Sequence, residues 1–111
     1  MNATSLTRIL SALLLVSAVL HVITAVFGAP EALTLPLIAF GLVYGALGLW
    51  VQTGGRLAVI VTVVFTLLGL TLGGMEYLKE PGPVAMLVMF LIDIGVIASG
   101  VMFLLKPKTA S

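Results

Sequence analysis

Four runs of residues, 9–27, 35–51, 57–75 and 84–105, contain between them one imidazole, one carboxylate and no lysine or arginine. At 1.5 Å of rise per residue, runs of about 17–22 residues match a hydrocarbon core about 30 Å thick. Inside lipid every backbone N–H and C=O must be satisfied within the protein. The runs are too long and too unalternating for barrel strands, so each must be a helix. The sequence therefore predicts an all-α integral membrane bundle of four antiparallel transmembrane helices. Their expected spans are about 8–28, 34–51, 57–76 and 84–105, within a single domain covering 1–111.

Composition agrees with lipid as the solvent. The chain is 61% hydrophobic and 8% charged, against about 25% charged residues in a soluble domain. A net charge of +1 is too small for a nucleic-acid footprint. The absence of cysteine excludes disulfides, thiolate metal sites and iron–sulfur clusters. A single histidine and four carboxylates leave little for a metal centre, which needs three or four converging ligands. A b-type haem would need the one histidine of each of two chains. No metal, cofactor or catalytic residue is expected, and no enzyme: short polar connections cannot easily shape a water-excluded site with a positioned nucleophile.

The first run has a rival reading. Arg8 followed by an apolar stretch has the form of a signal peptide. The best cleavage position, Gly28-Ala29, would put Phe27 where a small residue is wanted and Pro30 just after the cut. A retained helix is the expectation. Arg8, Arg56, Lys106 and Lys108 share one side of a four-span chain, whereas Glu31, Glu76 and Glu80 share the other with Lys79 alone. The positive-inside rule then puts both termini in the cytoplasm, in a cell (inner or plasma) membrane, with Trp50 and Tyr77 as interfacial anchors. Leu37, Phe40 and Gly45 recur as Leu87, Phe90 and Gly95, which would fit two hairpins related by duplication.

Small residues mark the faces on which membrane helices pack, because lipid offers no hydrophobic gradient between helices. Gly41, Gly45 and Gly48 form such a face on the second helix, and Gly69 and Gly73 on the third. The grooves would pack within one chain or receive a second copy or a partner helix.

Asp93 carries the most information about function. A carboxylate at mid-membrane costs about 2.5–3.5 kcal/mol and is normally turned inward and partnered. Asp93 lies thirteen residues before Lys106, and His21 lies thirteen residues after Arg8. Both are thus about 20 Å from the basic boundary, with Tyr44 at about 18 Å. Thr66 and Thr71 bracket that depth on the third helix. Asp93, His21, Tyr44, Thr66 and Thr71 are therefore the expected polar layer. Three roles remain open for it: a hydrogen-bonded lock on helix register, a proton relay, or a ligand pocket.

The length and four-span plan resemble the small multidrug resistance transporters. The chain departs from that family in carrying no first-helix Glu, since His21 is the only ionisable residue there, and in having just Phe65 as an aromatic in the third run. No functional residue is carried over. Two functions are expected from these observations. One is an accessory or structural membrane protein that packs with itself or with a larger complex. The alternative is a small proton-linked transporter or channel, acting as a homodimer, with Asp93 as the ionisable group. The lipid bilayer is the first partner in either case, and nucleic acid is not one.

Overall fold

The spans become helices because lipid leaves the backbone no other partner, but the helices do not stop where the apolar runs do. The computed structural model describes residues 3–28, 31–79 and 84–106. It contains α1 (Ala3–Phe27), α2 (Glu31–Trp50), α3 (Gly55–Lys79) and α4 (Val84–Leu104). α1 starts five residues before the sequence-based boundary, α2 three before it, and α3 runs three beyond. Helical bonding is local and continues past the apolar limit where end groups suit it. Glu31 stands in the first turn of α2 and Lys79 in the last turn of α3, each complementing the helix dipole. Glu80, Lys108 and the Ala29-Pro30 pair lie outside the described residues.

Helices in this bundle are inverted relative to a soluble one. Val19, Leu42, Leu68 and Leu91 face outward, whereas Ser17, His21, Thr62, Thr66 and Asp93 are buried. Large apolar side chains cover all sides, far beyond any patch a soluble monomer exposes. Each of the four helices is long and apolar enough to cross a bilayer, so the chain is a multi-pass membrane protein.

The order around the bundle is α2–α1–α4–α3. α1 packs closely against α2 and α4, and α3 packs against α4, but α2 and α3 scarcely approach each other. The two seams that a duplication would make equivalent, α1–α4 and α2–α3, therefore differ. Leu37 is buried where its counterpart Leu87 is exposed, whereas Phe40 and Phe90, and Gly45 and Gly95, match in being half-buried.

Close approach is made where a side chain is missing. A Cβ on Gly41 would lie 3.0 Å from His21 Cβ and 3.1 Å from the Ala18 carbonyl oxygen. One on Gly48 would lie 3.0 Å from Leu15. Gly45 is looser, with Ala18 Cβ at 3.6 Å. These three seat α1 against α2. The stripe on α3 works differently. Gly69 and Gly73 meet aromatic side chains, Tyr44 with Phe40 and Phe90 respectively, rather than a helix backbone. The α3–α4 contact runs instead through Gly100, which receives Val63.

The half of the bundle nearest the termini holds the larger buried core, with an open pocket of about 340 Å³ at its end beside Thr4, Arg8, Val51 and Phe103. Leu10, Leu14, Leu47, Val59 and Val96 belong to one continuous buried cluster. Ser11 Oγ donates to the Gly48 carbonyl at 2.7 Å and accepts from Gln52 Nε2 at 2.9 Å. The guanidinium of Arg56 donates to the carbonyls of Leu104 at 2.9 Å and Lys106 at 3.3 Å, satisfying acceptors that the end of α4 leaves free. The α2–α3 turn closes through Gly54 N–H to the Trp50 carbonyl at 2.6 Å, and Gly55 follows in the left-handed region at φ 65°. Among the described residues, the opposite half holds a smaller cluster of Ala25, Leu37, Met86 and Met89.

Candidate functional site

Because α2 and α3 part toward the end remote from the termini, their seam encloses space. A cavity of about 380 Å³ lies there, in the size range of small-molecule sites. α2 contributes Leu33, Pro36, Leu37 and Phe40; α3 contributes Gly69, Leu72, Gly73 and Glu76; α4 contributes Met86, Met89, Phe90 and Asp93. Among the described residues of α1, His21 alone reaches it. Pro36, Leu72 and Glu76 are exposed, and His21, Met89 and Asp93 are buried. The cavity thus runs inward from a mouth near Glu76 to a floor at His21 and Asp93.

Local sequence accounts for the shape. Gly69 and Gly73 leave room beside α3, into which Tyr44, Phe40 and Phe90 turn. Phe40 and Phe65 stack at 5.0 Å between ring centroids, and Phe65 meets the edge of Tyr44 at 5.4 Å. Rings wedged between α2 and α3 hold these helices apart. Pro36 has no N–H, so the carbonyl of Ala32 at the mouth has no helical donor. Met86 and Met89 supply adaptable thioether walls.

The expected polar layer forms in part. Tyr44 is 1% exposed, and its phenol lies beside the Asp93 carboxyl and the Thr66 hydroxyl. The ring of His21 stands 4.9 Å from that of Tyr44, tilted by 55°. His21, Tyr44, Thr66 and Asp93 are therefore brought to one level. Asp93 is 3% exposed, and its Oδ1 has no hydrogen-bonding partner among the described residues; Thr62 Oγ1 and Thr66 Oγ1 are the other buried orphans.

One expectation needs correction. Thr71 is outside the layer: it is exposed, and its hydroxyl donates to the Leu67 carbonyl at 2.8 Å on its own helix. Among the described residues His21 makes no hydrogen bond to Asp93. Its Nδ1 lies 2.7 Å from the Ser17 carbonyl oxygen and 3.2 Å from Ser17 Oγ, one turn back on α1. A backbone acceptor within its own helix is always in reach, whereas Asp93 is across the cavity floor.

Several residues of the site were not picked out from the sequence. Ser17, one turn before His21, is not among the residues of the expected layer, although an i,i+4 spacing signals contact. Phe40, Pro36 and Glu76 had no such signal, because their place depends on how far α2 and α3 diverge. Tyr77, expected as an interfacial anchor, packs on Phe90 at 5.8 Å between ring centroids. Among the described residues, no three His, Asp or Glu side chains converge as metal ligands would.

Compared with family models, with characterised proteins and with solved structures, the chain finds no match in any of the three.

Proposed function

We propose that this chain is a small polytopic membrane protein that binds a small, largely apolar molecule in the cavity between α2 and α3, with Asp93 as its polar anchor. The observation that carries this reading is the position of Asp93: it lines the cavity with Oδ1 unpartnered. A carboxyl serving only to pin helix register would have its acceptors filled from neighbouring helices, because an unpaired buried group is costly. An apolar wall with one or two convergent polar groups is the usual make-up of a ligand site.

Proton-linked transport asks for more. Its carboxyl would have to communicate with both faces, and the cluster around Leu10, Leu14 and Val59 closes the terminal side. Binding from one side is the simpler function for this geometry. The side follows from charge: Arg8, Arg56 and Lys106 at the terminal face, against Glu31 and Glu76 opposite, favour cytoplasmic termini in a cell membrane. The cavity would then open away from the cytoplasm.

Purification in mild detergent, followed by solvent extraction and mass spectrometry, tests the reading. Wild-type protein should retain a small molecule in near-stoichiometric amount, and Leu72→Trp and Met89→Trp, which fill the mouth and floor, should lose it. Identical extracts from all three would overturn it.

A second reading, a subunit packing with a copy of itself or a larger complex, is favoured by a shallow outer groove between α1 and α2. Ala18, Val22, Gly41, Gly45 and Ala46 line it, and small residues of this kind admit a neighbouring helix. Disulfide cross-linking through Ala46→Cys would reveal a second copy there.

A further inference from the structure

We infer that the head group taken by this cavity is a primary ammonium, carried on an apolar body, and that it donates to both Asp93 and His21. The inference rests on the binding function proposed above and names the chemistry of its ligand.

At the floor of the cavity the Nδ1 hydrogen of His21 is committed and an oxygen of Asp93 is free. His21 Nδ1 sits 2.7 Å from the Ser17 carbonyl oxygen. A carbonyl only accepts, so Nδ1 carries the hydrogen, and in the neutral ring Nε2 is left with a lone pair. No hydrogen bond among the described residues uses that Nε2. The Tyr44 hydroxyl lies beside the Asp93 carboxyl, and the unpartnered Thr66 hydroxyl at this level does not line the cavity. As a carboxylate Asp93 offers only acceptors, and its Oδ1 remains unpartnered at 3% exposure. Both His21 and Asp93 line the same space.

A head group that completes this floor must bring more than one hydrogen on a single small centre. It must also bring positive charge, because no lysine or arginine lines the cavity and its other charged residue is Glu76 at the mouth. A hydroxyl has one hydrogen and no charge. A carboxylate or phosphate would meet acceptors only. A trimethylated ammonium has the charge but no N–H. A primary ammonium has three donors and the charge, which is what two separated acceptors and an apolar wall recognise.

The chain has one histidine, so full-length protein labelled with 15N-histidine and purified without a histidine tag reports His21 alone. In phosphatidylcholine nanodiscs at neutral pH, octylamine should move the Nε2 resonance saturably. Octyltrimethylammonium and octanol should bind at least about tenfold more weakly, the loss expected for a charge-assisted hydrogen bond. Asp93→Asn, nearly isosteric, should weaken octylamine by a similar factor and so narrow its advantage over octanol.

Equal binding of octyltrimethylammonium would show that charge without donors suffices and overturn the inference. Equal binding of octanol would overturn it while leaving an apolar ligand cavity standing. No saturable response to any of the three probes would overturn the inference together with the binding function beneath it.

Discussion

The rings of His21 and Tyr44 lie 4.9 Å apart across the α1–α2 seam, yet the imidazole directs its Nδ1 hydrogen away from Tyr44, to the carbonyl of Ser17. The polar groups of α1 and α2 therefore share a level without sharing a hydrogen bond. His21 has its orientation set by its own helix and presents its other nitrogen elsewhere.

That arrangement makes the Ser17 hydroxyl dispensable. The backbone oxygen at 2.7 Å is the nearer partner and the hydroxyl at 3.2 Å the more distant one. Ser17→Ala should keep the hydrogen on Nδ1, read from the 15N shifts of the single histidine, and cost no more than about 1 kcal/mol. A change of tautomer in this variant would show that the hydroxyl sets it.

Gly69 and Gly74 form a matched pair on α3. A Cβ at 69 would fall 2.8 Å from Tyr44 Oη and 3.1 Å from Phe40 Cε1, whereas one at 74 meets nothing within 4 Å. Gly69→Ala should destabilise the bundle by about 1–3 kcal/mol through overpacking. Gly74→Ala should be neutral or stabilising by up to about 1 kcal/mol, because alanine is the better helix former. Unfolding in mixed detergent measures both, and equal effects would contradict the placement of Tyr44.

How much of this was legible in the sequence depends on what sets each feature. The four spans and the burial of Asp93 follow from what lipid demands of any chain, so they could be read directly. The common depth of His21, Tyr44 and Asp93 could be counted from the basic flanks, because helical rise is constant. Thr71 was misplaced although the sequence held the signal. Five residues separate it from Thr66, about 140° of helical rotation, so the two cannot share a face. The cavity was not legible at all. A glycine stripe such as Gly69 and Gly73 serves equally to admit a helix or to leave a hole, and only the rings of Phe40, Phe65 and Tyr44 decide between them.

Ser11 links the two helices of the packed half, donating to the Gly48 carbonyl and accepting from Gln52. Ser11→Ala and Gln52→Ala should each cost about 0.5–1 kcal/mol, in line with interhelical polar contacts in membranes. The double variant should cost less than the sum, because either change alone removes the shared bond. Additive losses would mean that the two side chains act independently.

The distribution of charge sets the orientation. Reporter fusions after Ser111 should be active only for a cytoplasmic reporter, and insertions next to Lys79 only for an external one. The reverse pattern would place the cavity mouth on the cytoplasmic side.

The central claim is that the cavity beside Asp93 is open while the terminal half of the same helix is sealed. Met89 lines the cavity, and Val96, seven residues on, is 0% exposed within the packed cluster. The chain contains no cysteine, so single substitutions report cleanly. In membranes treated from the face opposite the termini with a small charged methanethiosulfonate, Met89→Cys should be modified and Val96→Cys should not. A Met89→Cys variant as unreactive as Val96→Cys would contradict the account.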